Sequence, residues 1–184
     1  MQDLFDGKSL ENTLRNQSLQ YKIRAVLYNA GITTRLWKAS CDAYRRGWHP
    51  VAWGIKLFNL LVFKAILPYE CDIQDDLYLE HSGIGCAFAH FVTIGKRVTI
   101  GHHTAIASQN SRIIIEDDVK IGMHVIILGA AAGGIRRIGR GATIGPGSIV
   151  MSDVAAGASV LPMPSRVVRA AAPVAVEPEA EPTP

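Results

Sequence analysis

The sequence is poor in the features that staple or anchor a chain. Cysteine is scarce, three in 184 residues. Cys41, Cys71 and Cys86 show no paired spacing, which argues against a disulfide scaffold or a cysteine-based zinc site. No basic-then-apolar leader begins at Met1–Gln2–Asp3–Leu4, so the expected compartment is a reducing cytoplasm. A clean run of the ~20 apolar residues that span a bilayer is also missing. The most apolar stretch, after Pro50, is interrupted by Lys56, Asn59 and Lys64. Charged residues make up only 19% against 48% hydrophobic. That balance is too apolar for a disordered protein and sufficient for a real core.

What charge there is divides the chain in three. Residues 1–66 carry ten Lys and Arg against four Asp and Glu, residues 67–169 carry nine of each, and residues 170–184 carry three Glu and no base. The net +3 therefore belongs to the N-terminal segment, where a solvated helix face or a phosphate-bearing partner would both account for it. No nucleic-acid partner is expected. The Ala/Pro/Glu-rich tail, 170–184, lacks apolar periodicity and is expected to be disordered and dispensable.

The first 66 residues carry helical signals. Leu10, Leu14, Ile23, Val26 and Leu27 fall near helical spacing from Ser9 to Ala30, with Gly31 as a stop. A second helix is predicted from Thr33 or Thr34 to Arg46, ended by Gly47. A third runs from Val51 to about Leu67, with Pro50 in its first turn. Its apolar character predicts burial against neighbouring helices or a partner subunit, with peripheral membrane contact through Trp48 and Trp53 as the lesser option.

From residue 67 the pattern changes to a period of six. The clearest run is Ile94-Gly-Lys-Arg-Val-Thr, Ile100-Gly-His-His-Thr-Ala and Ile106-Ala-Ser-Gln-Asn-Ser. In register with it, fourteen hexads begin at 67, 73, 79, 88, 94, 100, 106, 115, 121, 127, 138, 144, 150 and 156. Insertions precede 88, 115 and 138. A hexad period suits a parallel β-helix, each hexad forming one side of a triangular prism. The aliphatic at position one points inward, the small residue at position five fits the corner, and glycine there or at position two tolerates strained turns. Three hexads per coil place the strands at 79, 100, 121 and 144 on one face. His81 and His102 are then expected one above the other, and His103 and His124 likewise. A column of histidines beside acids and glycines is a candidate site.

Leu79-Glu-His-Ser-Gly-Ile-Gly followed by hexads resembles the active-site segment of the hexapeptide-repeat acyltransferases, of the serine acetyltransferase type and its short sugar-acetylating relatives. Gly139-Arg-Gly-Ala-Thr-Ile-Gly-Pro-Gly-Ser-Ile-Val-Met is similar to their last coils. Pro162-Met-Pro-Ser-Arg-Val-Val is similar to their closing segment. The resemblance covers about residues 40–169. It implies a left-handed β-helix behind a small helical cap, acetyl-CoA as co-substrate with no metal, and a homotrimer with active sites between subunits.

Carried over, the resemblance makes His81 the general base that takes the proton of an acceptor hydroxyl. Glu80 stands beside it in the catalytic pair. Glu70, Asp72, His102 and Arg112 become acceptor-binding candidates. Gly83, Gly85 and His124 become candidates for the acetyl-CoA side, and the residues themselves offer Arg136 and Arg137, on a flexible glycine loop that reaches phosphates, or Lys96 and Arg97 for its phosphates. The family's orienting Asp falls on Ile66, so Glu80, Glu70 or Asp72 would substitute. Arg112 stands where the family has a second histidine. The chain ends Glu-Pro-Thr-Pro without the family's terminal Ile, so no docking to cysteine synthase is expected. Serine, a related amino acid and a sugar all remain open as acceptor. A γ-carbonic anhydrase-like zinc lyase and a non-catalytic scaffold use the same prism, although the adjacent pair His102–His103 lacks the lyase's histidine spacing.

Overall fold

The structure, a computed structural model, describes residues 31–131 and 133–163. The expected helix at 9–30 and the expected disordered tail lie outside these residues. Two helices come first, α1 (Ile32–Arg45) and α2 (His49–Phe63). In α1 the residues Thr33, Trp37, Ser40 and Cys41 recur at helical spacing and are buried. Trp37 Nε1 donates to the Pro68 carbonyl at 2.7 Å, and its ring lies 5.3 Å from Phe88. The helix thus closes the first end of the core. Ser40 Oγ donates to the Ala52 carbonyl at 2.8 Å and ties α1 to α2.

The remainder is a parallel β-solenoid of short strands. One sheet stacks β1 (Asp72–Ile73), β4 (Val92–Ile94), β7 (Arg112–Ile115) and β10 (Ile135–Ile138). The second stacks β2 (Tyr78–Leu79), β5 (Thr99–Ile100), β8 (Lys120–Ile121), β11 (Thr143–Ile144) and β13 (Ser159–Val160). The third stacks β3 (Ala87–Phe88), β6 (Ala105–Ala107), β9 (Ile126–Leu128) and β12 (Ile149–Val150). Pairing runs Leu79 to Ile100 to Ile121 to Ile144, with every step parallel. Position-one side chains from Leu67 to Val150 are all buried, in one continuous core with the buried position-five residues Val98, Val119 and Val125. Each fully buried isoleucine contributes roughly 1.5–3 kcal/mol of transfer free energy, so the column itself is the main source of stability.

Three local expectations are corrected. Helix α2 ends at Phe63, four residues before Leu67, because Lys64 turns left-handed (φ 55) and Ile66 already bridges Ala87 in the first coil. The last hexad does not begin at 156. Val154 bridges Ile138 and Val160 pairs with Ile144, while Ala156 sits exposed in a turn. A valine fills the prism interior better than a lone methyl, so the coil shortens to bring Val154 inward.

The third correction concerns glycine. Left-handed backbone occupies position four of the hexads: Asp76, Phe91, Arg97, His103, Asp118, His124, Gly141 and Gly147 all have positive φ. Position-two glycines lack that conformation. A Cβ on Gly101 would stand 2.4 Å from the Met123 backbone nitrogen, and one on Gly122 would stand 2.7 Å from that of Pro146. They are glycines because the next coil passes directly over them.

Among the described residues, little of helix α2 is buried. Ala52, Asn59 and Phe63 are buried, while Val51, Trp53, Phe58, Leu61 and Val62, and Trp48 just before the helix, are exposed. Among the described residues no helix is long and apolar enough to cross a membrane.

Candidate active site

The site is built where β2 leaves its sheet. Leu79 points into the core, and the chain then makes a short helical turn, Glu80–Gly83. His81 (φ 50), Ser82 (φ 58) and Gly83 (φ 67) are consecutive left-handed residues. For His81 and Ser82 this conformation costs roughly 1–2 kcal/mol each, and it turns the His81 imidazole outward at the corner. The inserted residues are stitched back by hydrogen bonds from Cys86 N to Gly83 O (2.9 Å) and from His103 N to Ile84 O (2.9 Å).

Register then assembles the histidines as the six-residue count anticipates. His81 and His102 meet edge to face with ring centroids 5.0 Å apart. His103 and His124 lie stacked, 5.0 Å apart and 3° from parallel. His102 joins the two pairs, 5.2 Å from His103 and 5.5 Å from His124. Gly85 (φ 70) borders the group, and a Cβ there would fall 2.4 Å from His103 Cδ2. Gly85 is thus required both by its backbone and by the ring it faces. His103, left-handed at position four (φ 57), stands between His102 and His124.

Burial first, and then the neighbouring His81, His103 and His124, hold the His102 imidazole below its ordinary value, with Glu80 opposing. This has a consequence for stability. The unfolded chain takes up a proton on this imidazole near 6.5, whereas the folded chain does so only at lower pH. Stability from this group is complete above about pH 6.5 and declines as pH falls toward the folded value. Glu116, Asp118 and Asp153 have lowered values through Arg137, Arg97 and the Arg137 backbone N–H respectively, so their contribution is lost only in more acidic solution. Melting temperature measured against pH is therefore expected to fall in two steps, and His102→Gln to remove the upper one.

The other sequence candidates lie elsewhere. Glu70 Oε2 is 3.1 Å from His90 Nδ1, and Asp72 lies 3.8 Å from Arg45. Glu70, Asp72 and Arg112 line a cleft of about 270 Å³ with Phe91, Val92 and Thr93. This cleft is at the start of the first sheet's strands, and the third sheet separates it from the histidines. Arg136 and Arg137 are not on a flexible loop. Both belong to β10, paired with Ile113 and Ile114. The Arg136 guanidinium donates to the Leu128 and Met151 carbonyls and pairs with Asp153 at 3.1 Å. Arg137 pairs with Glu116 at 2.9 Å. Strand pairing and these partners hold the two side chains against the solenoid.

The three cysteines are free and buried, and burial pushes the Cys41 and Cys71 thiols up to about 12. They are no source of a thiolate nucleophile. Among the described residues no group of three or more His, Cys, Asp or Glu is arranged to hold a metal ion.

No family model matches the sequence. Over 87 residues the chain is 39% identical to the 2,3,4,5-tetrahydropyridine-2,6-dicarboxylate N-acetyltransferase of Staphylococcus aureus (strain MRSA252), covering 45% of this chain and 34% of that protein. Over 85 residues it is 40% identical to the same enzyme of strain Newman, covering 44% and 34%. The chain's match thus spans about a third of the length of these curated relatives (34%). Among solved structures, serine acetyltransferase of Neisseria gonorrhoeae in complex with serine superposes with a TM-score of 0.67 at 23% identity, over 83% of this chain and 62% of that one. The chain shares its parallel β-solenoid fold with serine acetyltransferase. Soybean serine acetyltransferase shares that fold, with a TM-score of 0.67 at 24% identity over 78% of this chain and 60% of that one. The relatives are named as acetyltransferases, which does not favour the zinc-lyase reading of this hexapeptide-repeat protein.

Proposed function

We propose that this protein is an acetyl-CoA-dependent O-acyltransferase of the serine acetyltransferase type. The observation that carries the reading is the turn at His81, which spends backbone strain to present an imidazole outward at the head of a histidine column. Neutral His81 takes the proton of an acceptor hydroxyl while the oxygen attacks the thioester carbonyl. The tetrahedral intermediate collapses with cleavage of the carbon–sulfur bond, and the proton passes from His81 to the leaving CoA thiolate. No enzyme nucleophile is required, because the thioester is already activated and positioning lowers the remaining barrier. Backbone N–H groups near Gly83 and Gly85 are suited to the oxyanion.

The acceptor is a small hydroxyl compound, serine or a related amino acid or a sugar. The working form is a homotrimer in the cytoplasm. Two observations support assembly. The exposed apolar face of α2 has the character of an interface. The cleft at Glu70, Asp72 and Arg112 is a whole prism side away from His81, so the two can share one site only across two copies.

The test is a thiol-release assay with acetyl-CoA against serine, homoserine, nucleotide-linked and lipid-linked sugars, with amines as a separate arm. Turnover of one hydroxyl class supports the reading, and turnover confined to amines replaces it. In the same preparation, sedimentation should give three times the 19.9 kDa chain, and Leu61→Glu should lower that mass.

A further inference from the structure

We propose that His102 is the positioning residue of this site, presenting a neutral imidazole to the His81 ring as His81 takes up the acceptor proton. The inference rests on His81 being the general base. A base that becomes a cation during the reaction needs a neighbour that orients it and tolerates the charge. No carboxylate among the described residues forms an ion pair with His81. Glu70 Oε2 lies 3.1 Å from His90 Nδ1 without a hydrogen bond, Asp72 lies by Arg45, and Asp75 is paired with Lys38. Ile66 contributes a backbone bridge to Ala87 and an apolar side chain.

His102 occupies the place such a neighbour would need. Leu79 pairs with Ile100, so position three of the next coil is set against His81 by backbone register, and the two rings meet edge to face at 5.0 Å. The ring is half-buried, and its Nδ1 is shielded from solvent with no hydrogen-bond partner. A shielded ring nitrogen without a partner is costly to maintain, and in the Nε2–H tautomer it is an acceptor awaiting a donor. The titratable groups that face His102 are His81 and Glu80 from the coil before it, His103 beside it, and His124 from the coil after it. A second positive charge among rings this close is repelled. The same crowding that lowers the affinity of His102 for a proton therefore keeps it neutral when His81 is charged.

The test uses His102→Phe, which keeps a ring without nitrogens, and His102→Gln, which keeps a neutral polar acceptor. Glu80→Gln serves as comparator. His102→Phe is expected to lower kcat about 10- to 100-fold with the KM for acetyl-CoA within about twofold, and to displace the acid limb of the pH–kcat profile. His102→Gln should recover most of the loss. In the substrate-free protein, the NMR titration of His102 should move toward the ordinary imidazole value when His81 is replaced by Phe. Wild-type kcat in His102→Phe across the pH range overturns the proposal. So does an unmoved His102 titration in His81→Phe, or a loss confined to Glu80→Gln. Should His102→Phe fail to fold, the His102→Gln profile and the titration decide. Absence of turnover in the wild type with every acceptor overturns the base assignment itself, whereas the titration reads the His81–His102 coupling independently.

Discussion

Replacing His81 by alanine is expected to lower acetyl transfer by roughly 10²- to 10⁴-fold, the range that general-base catalysis supplies. Stability should change little. The side chain is exposed at a corner and fills no part of the core, so its removal leaves no cavity. Its backbone is left-handed (φ 50), which alanine tolerates less well than asparagine. His81→Asn is therefore the cleaner variant, since it removes the imidazole and keeps a residue at home in that conformation. Both should retain the far-UV circular dichroism and sedimentation of the wild type while losing thiol release. A variant with undiminished turnover would remove His81 from the mechanism and return the site to the other histidines of the column.

Gly101→Ala is expected to be the most damaging single-methyl change in the solenoid. The added carbon would stand 2.4 Å from Met123 N and 2.6 Å from the Gly122 carbonyl carbon, all backbone of the next coil. Those atoms are fixed by the ladder, with Gly101 N donating to Ile121 O at 2.8 Å and His124 N to His102 O at 3.0 Å. Relief requires the coils to separate, at a cost of about 3 kcal/mol or more. The position also lies beside His102, so acetyl transfer should fall with stability.

Gly147→Ala is the instructive contrast. Gly147 has positive φ (72) but nothing within 4 Å of its missing side chain. Its cost is the left-handed conformation alone, roughly 1–2 kcal/mol. Urea denaturation of the two variants reads the difference. Equal losses would mean that turn dihedrals, and not the approach of successive coils, select glycine in this repeat.

The two glycine classes show where pattern reading stops. Counting by six located the position-one core residues from Leu67 to Val150, because an interior that repeats coil by coil demands the same volume at the same phase, but it passed over Ile113, which is buried inside the insertion before 115. The count failed at Val154, where the coil is two residues short and an alanine at 156 satisfied the pattern equally well. It also read position-two glycines such as Gly101 as turn glycines, and it did not single out position four, where Gly147 stands. A letter in the sequence does not say whether glycine answers to its own dihedrals or to backbone twenty residues away.

The candidate site divides in the same manner. Hexad arithmetic by itself determined that His81 falls over His102 and His103 over His124, since parallel register translates sequence distance directly into height along the prism. Only the tertiary structure decided which chemical partners the remaining residues take. Arg136 spends its guanidinium on the Leu128 and Met151 carbonyls, and Glu70 meets His90 instead of His81. These contacts depend on side-chain reach around a corner, which no periodicity encodes. The six-residue period, which fits neither a heptad nor a helical solenoid, made a prism the natural reading. The closure of its coils then set His102 against the candidate base, with His103 and His124 beyond it, and among the described residues no carboxylate forms an ion pair with His81.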